Sequence, residues 1–207
     1  MCEAVAAASV PGYSYSADYI SDLGVSAVMN VGAFMVHGSL LLLGAVIFVR
    51  ACPTPRWAGW SFVLAAAVNA IGNVLVGTFR SGGVEVSDAS HWHVIGAGMA
   101  IVGGNVAVII AGLGSRRLGA PRTYGVVSIV IGVAGLACLL ALIIDGANGA
   151  RVLPVGVVER GSVYSIVAWE IITGALVLTG YGWAARNVSV GRPAESSATS
   201  NGRSRSA

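Results

Sequence analysis

The chain has 207 residues, of which 56% are hydrophobic and only 10% are charged, and its mean hydropathy is +0.80. Soluble domains carry about a quarter charged residues, so this composition excludes an ordinary soluble domain. The formal charge of +3 comes from arginines scattered over several loops, without the basic stripe typical of nucleic-acid binding, and we expect no nucleic-acid partner.

Five stretches of about twenty residues carry almost no charge, and Glu170 is the one acid inside them. A helix rises ~1.5 Å per residue and the hydrocarbon core of a bilayer is ~30 Å thick, so each stretch is long enough to cross. The sequence therefore predicts an all-α, polytopic transmembrane helical bundle within residues 26–184. The predicted spans are Ser26–Val49, Trp57–Phe79, Trp92–Gly114, Thr123–Ile144 and Gly161–Ala184.

The arginines orient this predicted bundle. Three lie on the side of the N-terminus and nine on the other side, and positive residues favour the cytoplasmic side. We therefore expect a bacterial plasma (inner) membrane protein with its N-terminus outside and its C-terminus in the cytoplasm. Residues 1–25 form the predicted extracytoplasmic segment, and residues 185–207 a disordered cytoplasmic tail.

The N-terminal segment does not look like a signal peptide. Residues 1–10 have no basic region and are too short to span a bilayer. An outside N-terminus would be explained by a further helix upstream of Met1, of which residues 2–11 would be the outer end. We therefore expect that this chain begins at an internal start or is a fragment.

The most distinctive local sequence is Pro-Gly-Tyr-Ser-Tyr-Ser-Ala-Asp-Tyr-Ile-Ser-Asp-Leu-Gly, at residues 11–24. It resembles the segment after the first helix in DUF998, a family of prokaryotic six-helix membrane proteins that is catalogued as a domain of unknown function. Further matches are Asn30-Val-Gly32, Gly77-Thr-Phe79, His91 or His93 at the start of a helix, and Glu159-Arg160 before the last helix.

This resemblance covers residues from about 11 to 183 and implies a six-helix family fold, of which five spans are present. Arg80 departs from the family pattern, which more often has proline there. The segment Tyr-Ile-Ser-Asp-Leu-Gly is also similar to one in eukaryotic six-helix proteins of the Frag1/DRAM/Sfk1 type, which are linked to lipid handling and autophagy.

Glu170 and His37 are ionisable side chains that lie deep within the predicted spans. Glu170 is about nine residues into the last span, some ~13 Å below its outer end, and His37 is near the middle of the first. Ionisable groups at such depth usually face the bundle interior or a wet cavity. Glu170 is either functional or a protonated carboxyl bonded to a neighbouring helix, and His37–Glu170 is the pair to test.

Four asparagines lie at depths close to that of Glu170: Asn30, Asn69, Asn73 and Asn105. Amides inside a membrane commonly form interhelical hydrogen bonds worth ~0.6–2 kcal/mol each. Their matching depths also allow a second interpretation, a polar ligand-binding pocket that opens to the outside and includes His37 and Glu170.

One face of the third span carries small residues at a spacing of four. Gly96, Ala100 and Gly104 predict a seam for close helix packing and not a nucleotide-binding loop.

Two histidines mark the outer mouth of the third span. On a helix the rings of His91 and His93 point about 200° apart. A zinc site needs three or four ligands, so we predict no metal. His93 could carry a proton or bond to Asp18, Asp22 or Asp88, although contact with headgroups alone would also explain it.

The remaining charged candidates lie on the predicted outer face. Glu159 before the last helix could simply favour the positive end of the helix dipole. Alternatively, the acids and Arg160 line the mouth of the pocket, where Arg160 would clamp a lipid phosphate and the acids would pair with an amine. The residues of this predicted mouth are Asp18, Asp22, Glu159, Arg160 and His93.

Three functions remain open, and none requires a cofactor, since the sequence has no Gly-x-Ser-x-Gly, His-Glu-x-x-His or Walker motif. The first is a non-enzymatic protein that binds or moves a lipid or small amphiphile. The second is an enzyme at the outer face, with His93 as general base oriented by Glu170 or by an outer Asp. The third is a structural subunit. Membrane lipids are the predicted partners, along with a second copy of the chain or another membrane protein.

Overall fold

The structure, a computed structural model, describes residues 1–52, 54–79, 88–148 and 152–179. All regular structure in these residues is helical, which confirms the predicted fold class. The helices are α1 (Cys2–Ala8), α2 (Val28–Ala51), α3 (Arg56–Thr78), α4 (Asp88–Gly114), α5 (Arg122–Ala147) and α6 (Val155–Leu178). The predicted tail and Arg80 lie outside the described residues.

Five of these helices, α2 to α6, are long and apolar enough to cross a membrane. The largest difference from the predicted spans is at α6, which begins at Val155 and not at Gly161. Pro154 precedes it with a φ of −68°, an angle that already suits a helix start. Glu170 therefore lies about 22 Å along α6, deeper than predicted.

The helices pack in chain order: α2 on α3, α3 on α4, α4 on α5 and α5 on α6, with a further contact between α4 and α6. In the described part of the chain, the backbones of α2 and α6 are not closely packed. The bundle is therefore an arc that is open between its first and last long helices.

The α3–α4 seam is the tightest helix contact. A Cβ atom on Gly72 would lie 2.3 Å from the Ala100 nitrogen and 2.5 Å from the Gly96 carbonyl oxygen. The prediction of a small-residue seam is confirmed for Gly96 and Ala100. Gly104 is also closely packed, but a Cβ there would meet Ile166 of α6 at 2.3 Å.

The residues before α2 fold over one end of the bundle. Helix α1 and a 3₁₀ turn at Ile20–Val25 pack on the start of α2, with Leu23 and Met29 in a common apolar cluster. We call this end the N-terminal face, and the end with the α2–α3 connection the loop face. Helix α2 is π-helical over Val28–Val36 and α-helical from His37 onward.

Candidate functional site

His37 and Glu170 meet in the middle of the open side of the bundle. His37 Nε2 lies 2.9 Å from Glu170 Oε2, and each side chain is 26% exposed. His37 is the residue at which α2 changes from π-helical to α-helical geometry, and π-helical segments are frequent at functional sites. The two residues that the sequence singled out as a pair are therefore in contact.

The second carboxylate oxygen of this pair is not used within the described chain. Glu170 Oε1 is buried and makes no hydrogen bond there. A buried polar atom without a partner is costly in a low-dielectric environment. This oxygen can accept a further hydrogen bond when a neighbouring side chain moves and exposes it.

A cavity of about 560 Å³ lies between this pair and the N-terminal face, and we call it the N-terminal cavity. Its walls come from α1, α2, α3, α4 and α6 and are mostly apolar, with residues such as Phe34, Ile101 and Ile171. Its polar lining consists of Glu3, Ser21, His37, Asn69, Asn73, Glu159 and Tyr164. It lies on the side where the sequence predicted an outer pocket.

A second cavity, of about 370 Å³, lies between the pair and the loop face, and we call it the loop cavity. It extends from His37 and Glu170 to Thr54 and Pro55 of the α2–α3 connection. Its walls are apolar apart from a few groups near its α6 side. The sequence analysis did not predict this cavity.

The polar groups of the loop cavity are joined to one another. Tyr124 Oη lies 3.0 Å from Thr173 Oγ1, and Trp169 Nε1 donates to Ser128 Oγ at 3.1 Å. The sequence signal was available, since Thr173 lies three residues after Glu170 and hence on the same face of a helix.

Two of the four asparagines line the N-terminal cavity. Asn69 donates through Nδ2 to the Ala100 carbonyl at 2.6 Å, and Asn73 donates to Asn69 Oδ1 at 3.1 Å. Asn69 therefore joins α3 to α4 and is supported by Asn73 of the same helix, while both border the cavity.

The other two asparagines border neither cavity. Asn30 donates to the Gly24 carbonyl at 2.7 Å and so fixes the turn before α2. Asn105 donates to the Ser162 carbonyl and accepts from Ser165 Oγ, at 2.9 and 2.7 Å, which joins α4 to α6. The geometry of both fits the interhelical and local bonding that was the alternative to a pocket role.

Arg160 lies beneath the N-terminal segment and not at the mouth of a cavity. Only 8% of it is exposed, and it donates to Glu3 Oε1, the Tyr15 carbonyl and the Gly156 carbonyl at 2.8, 2.6 and 2.8 Å. It also donates to the Tyr13 hydroxyl. Burial raises the pKa of Tyr13, and nearby Arg160 partly offsets this rise. Because its donors are occupied internally, this arrangement does not present Arg160 to a lipid phosphate, contrary to the predicted clamp.

The acids of the predicted mouth have different surroundings. Glu159 is buried, lines the N-terminal cavity and accepts a hydrogen bond from the Ile20 backbone nitrogen. Asp18 accepts from the Ser14 nitrogen at 2.7 Å, and Asp22 accepts from the Tyr19 nitrogen at 3.1 Å. Asp18 and Asp22 therefore shape turns and border neither cavity, whereas Glu159 lines one of them.

His93 and Glu170 do not form the acid–base pair that an enzyme mechanism would need. His93 is 5% exposed and donates through Nδ1 to the Phe79 carbonyl at 2.7 Å, while Glu170 contacts His37. His91 is exposed, so the two rings have the different surroundings that helix geometry predicts. His93 lines neither cavity.

A family model described as "Protein of unknown function (DUF998)" matches residues 1–176. The match thus begins before residue 11, where the resemblance in the sequence began, and ends before 183. No curated protein and no solved structure matches the chain. The similarity to the Frag1/DRAM/Sfk1 type stays a resemblance of one short segment. With most of its length matched and five apolar helices that fit a multi-pass membrane protein, the chain belongs to the DUF998 family.

Proposed function

We propose that this protein binds a lipid or a small amphiphile in the N-terminal cavity, above the His37–Glu170 pair. The observation that carries the proposal is the size and lining of this cavity, about 560 Å³ with mostly apolar walls and several polar groups. Sites for small molecules commonly measure ~300–1,000 Å³ and combine apolar walls with a few polar groups. A molecule with a polar head and an apolar tail suits such a lining.

The position of the cavity favours a ligand that enters from the bilayer. It lies on the open side of the bundle, where α2 and α6 are not closely packed over their described lengths. Large apolar side chains on both helices, such as Val36 and Ile171, are exposed there. A lipid tail can contact these side chains while its polar end reaches Glu159 or Tyr164.

An enzyme at the N-terminal face receives less support from the geometry. General acid–base catalysis needs groups within hydrogen-bond reach of each other or of a substrate. His93 bonds to a backbone carbonyl and Glu170 contacts His37, so the proposed pairing of His93 with Glu170 is absent from this arrangement.

A purely structural role is the second candidate, and the asparagines favour it. Asn69 and Asn105 both make hydrogen bonds between helices, which account for their presence without a ligand. The two cavities, and the Glu170 oxygen without a partner in the described chain, are the features that such a role leaves unexplained.

Thermal unfolding of the purified protein in detergent, with and without added phospholipids and polyprenyl lipids, tests the proposal. We expect one lipid class to raise the midpoint temperature of the wild type, because a ligand that binds only the folded state stabilises it. Ala168→Phe, which fills the cavity from α6, should reduce that rise while the protein stays folded.

Ala137→Phe is the matched control, since Ala137 is exposed on α5 and lines neither cavity. It should keep the full lipid response. A response that is equal in both variants, or no lipid response in the wild type, would contradict the proposal and favour the structural role.

A further inference from the structure

The two cavities meet at a single side chain. His37 lines both, while the N-terminal cavity otherwise extends to Glu3 and Tyr164 and the loop cavity to Thr54. We propose that the His37–Glu170 pair is a gate between two half-channels, and that the protein lets its amphiphilic ligand pass between the two faces of the membrane. This inference rests on the proposed function and adds passage to binding.

One stripe of α2 forms a continuous wall through both cavities. Ala33 lies in the N-terminal cavity, His37 in both, and Leu40, Gly44 and Phe48 in the loop cavity. Residues at spacings of three and four share one face of a helix. The same helix face therefore runs along the whole path, and His37 is the position on it where the two cavities adjoin.

The barrier at this position consists of side chains. Along their described lengths α2 and α6 are not closely packed through their backbones, and the contact of His37 with Glu170 joins them across the opening. A barrier of this kind opens by rotamer changes, which are faster and less costly than the separation of packed helices. Each side chain of the pair is also partly exposed, which leaves it space to move.

The backbone beside the gate is fixed. A Cβ on Gly38 would lie 2.9 Å from Asn73 Cβ and 3.1 Å from Ala70 Cα, so α2 approaches α3 closely next to His37. Only glycine allows this approach. The gate therefore combines an immobile backbone with a side chain that faces two cavities.

Glu170 supplies chemistry for opening. Its Oε2 contacts His37, and its Oε1 has no partner within the described chain. Because Oε1 is buried, a ligand reaches the carboxylate only when the His37 side chain moves aside, and its N–H or O–H group then takes the place of His37 at Oε2. Passage then exchanges one hydrogen bond for another.

Cysteine accessibility tests the gate without any lipid ligand, so that its outcome is independent of the lipid-binding test. The background variant replaces the three free cysteines, Cys2, Cys52 and Cys138, by alanine. Ala33→Cys then reports on the N-terminal cavity and Gly44→Cys on the loop cavity. A Cβ on Gly44 meets nothing within 4 Å, so this substitution fits.

A charged, membrane-impermeant thiol reagent is added to either side of sealed vesicles, and the exposed Ala17→Cys identifies the N-terminal face. With the gate intact, Ala33→Cys should react only from the N-terminal face and Gly44→Cys only from the loop face. His37→Ala should make Gly44→Cys react from the N-terminal face as well, at least about tenfold faster than any residual reaction from that face with the gate intact, which corresponds to a barrier lowered by about 1.4 kcal/mol or more.

Leu40→Ala is the matched control, because it removes a similar volume but lines only the loop cavity. It should leave the sidedness unchanged. Glu170→Ala, which removes the carboxylate that contacts His37, serves as a second opening variant if His37→Ala does not fold. Reaction of Gly44→Cys from both faces in the background variant, or from the loop face alone in both opening variants, would overturn the gate.

Discussion

Polar groups inside this bundle are placed in two different ways, one at the α3–α4 seam and the other at the α2–α6 opening. At the seam, Gly72 brings the backbones into contact and Asn69 donates across it. At the opening, the backbones of the described residues stay apart, cavities lie above and below, and His37 and Glu170 meet alone. The seam is therefore packed like a protein core, whereas the opening has the cavities and polar side chains of a candidate binding site.

The comparison of the seam with the opening shows how a polar residue in the middle of a span can be interpreted. Asn69 and Asn105 make hydrogen bonds to neighbouring helices, so packing explains them. Glu170 combines an oxygen without a partner in the described chain with a place beside a cavity. Asn30 Oδ1 and His93 Nε2 also have no partner there but line neither cavity, so it is the combination that marks a candidate for function.

The largest effect is expected at Arg160, which fastens the N-terminal segment to α6 near the opening. Removal of one partner of a buried ion pair typically costs about 3–5 kcal/mol, because the other charge stays buried. Arg160→Gln leaves Glu3 in that position and should lower the free energy of unfolding by that amount. Denaturant unfolding in mixed micelles measures it.

Arg56→Gln is the control for loss of an arginine, since Arg56 is exposed at the start of α3. It should change the unfolding free energy by less than about 0.5 kcal/mol. Equal effects of the two substitutions would mean that the N-terminal segment is not fastened by Arg160.

The seam itself is broken by Gly72→Leu. An added Cβ alone would lie 2.3 Å from a backbone nitrogen of α4, so the helices must separate. Overpacking of this kind costs about 1–3 kcal/mol or more, and we expect a lower unfolding free energy and a lower yield of monodisperse protein. Gly98→Leu on α4 has open space at its Cβ and should behave as wild type.

A smaller effect is expected where an interhelical hydrogen bond is removed without a clash. Asn105→Ala removes the bonds to Ser162 and Ser165 and should lower the unfolding free energy by about 1–2 kcal/mol. The lipid response should stay at the wild-type level, because Asn105 borders neither cavity. Asn148→Ala, at the exposed end of α5, controls for loss of an amide.

A change in lipid response in Asn105→Ala would blur the distinction between the two regions. It would mean that the seam and the opening are coupled through α6, to which Asn105 is bonded.

Much of the fold was predictable because bilayer thickness sets the length of an apolar helix and small residues mark close packing. The start of α6 was misplaced because Glu159 and Arg160 look like loop residues when read alone. The charge of Arg160 is paired with Glu3, which lies more than 150 residues away in the sequence. No local pattern reports such a partner.

The site was predictable in part, because the position of a residue within its span indicates its depth in the bilayer. The depth of His37 and Glu170 indicated a common plane, and they do meet. The loop cavity was not predictable, because it is a space between five helices and no single segment encodes how each helix is rotated about its axis. Asn30 and Asn105 share the polarity and depth of the cavity residues, and only the packed structure separates them.

The smallest change in stability is expected at the centre of the opening. Glu170→Gln keeps the size of the side chain and can still contact His37, and water or lipid in the adjoining cavities screens the pair. Ion pairs with such access to solvent typically contribute about 0–1 kcal/mol. We therefore expect the unfolding free energy to change by less than about 1 kcal/mol, less than in Asn105→Ala.

A double-mutant cycle of His37→Gln with Glu170→Gln measures the coupling between the two side chains directly. A coupling below about 1 kcal/mol, with both variants folded, fits a pair that is kept for function. A coupling above about 2 kcal/mol would place the pair among the interactions that hold the helices together, as at the seam, because only a well-shielded contact reaches such values. In that case the opening would be a second packing interface, and the position of the pair between the two cavities would no longer support passage.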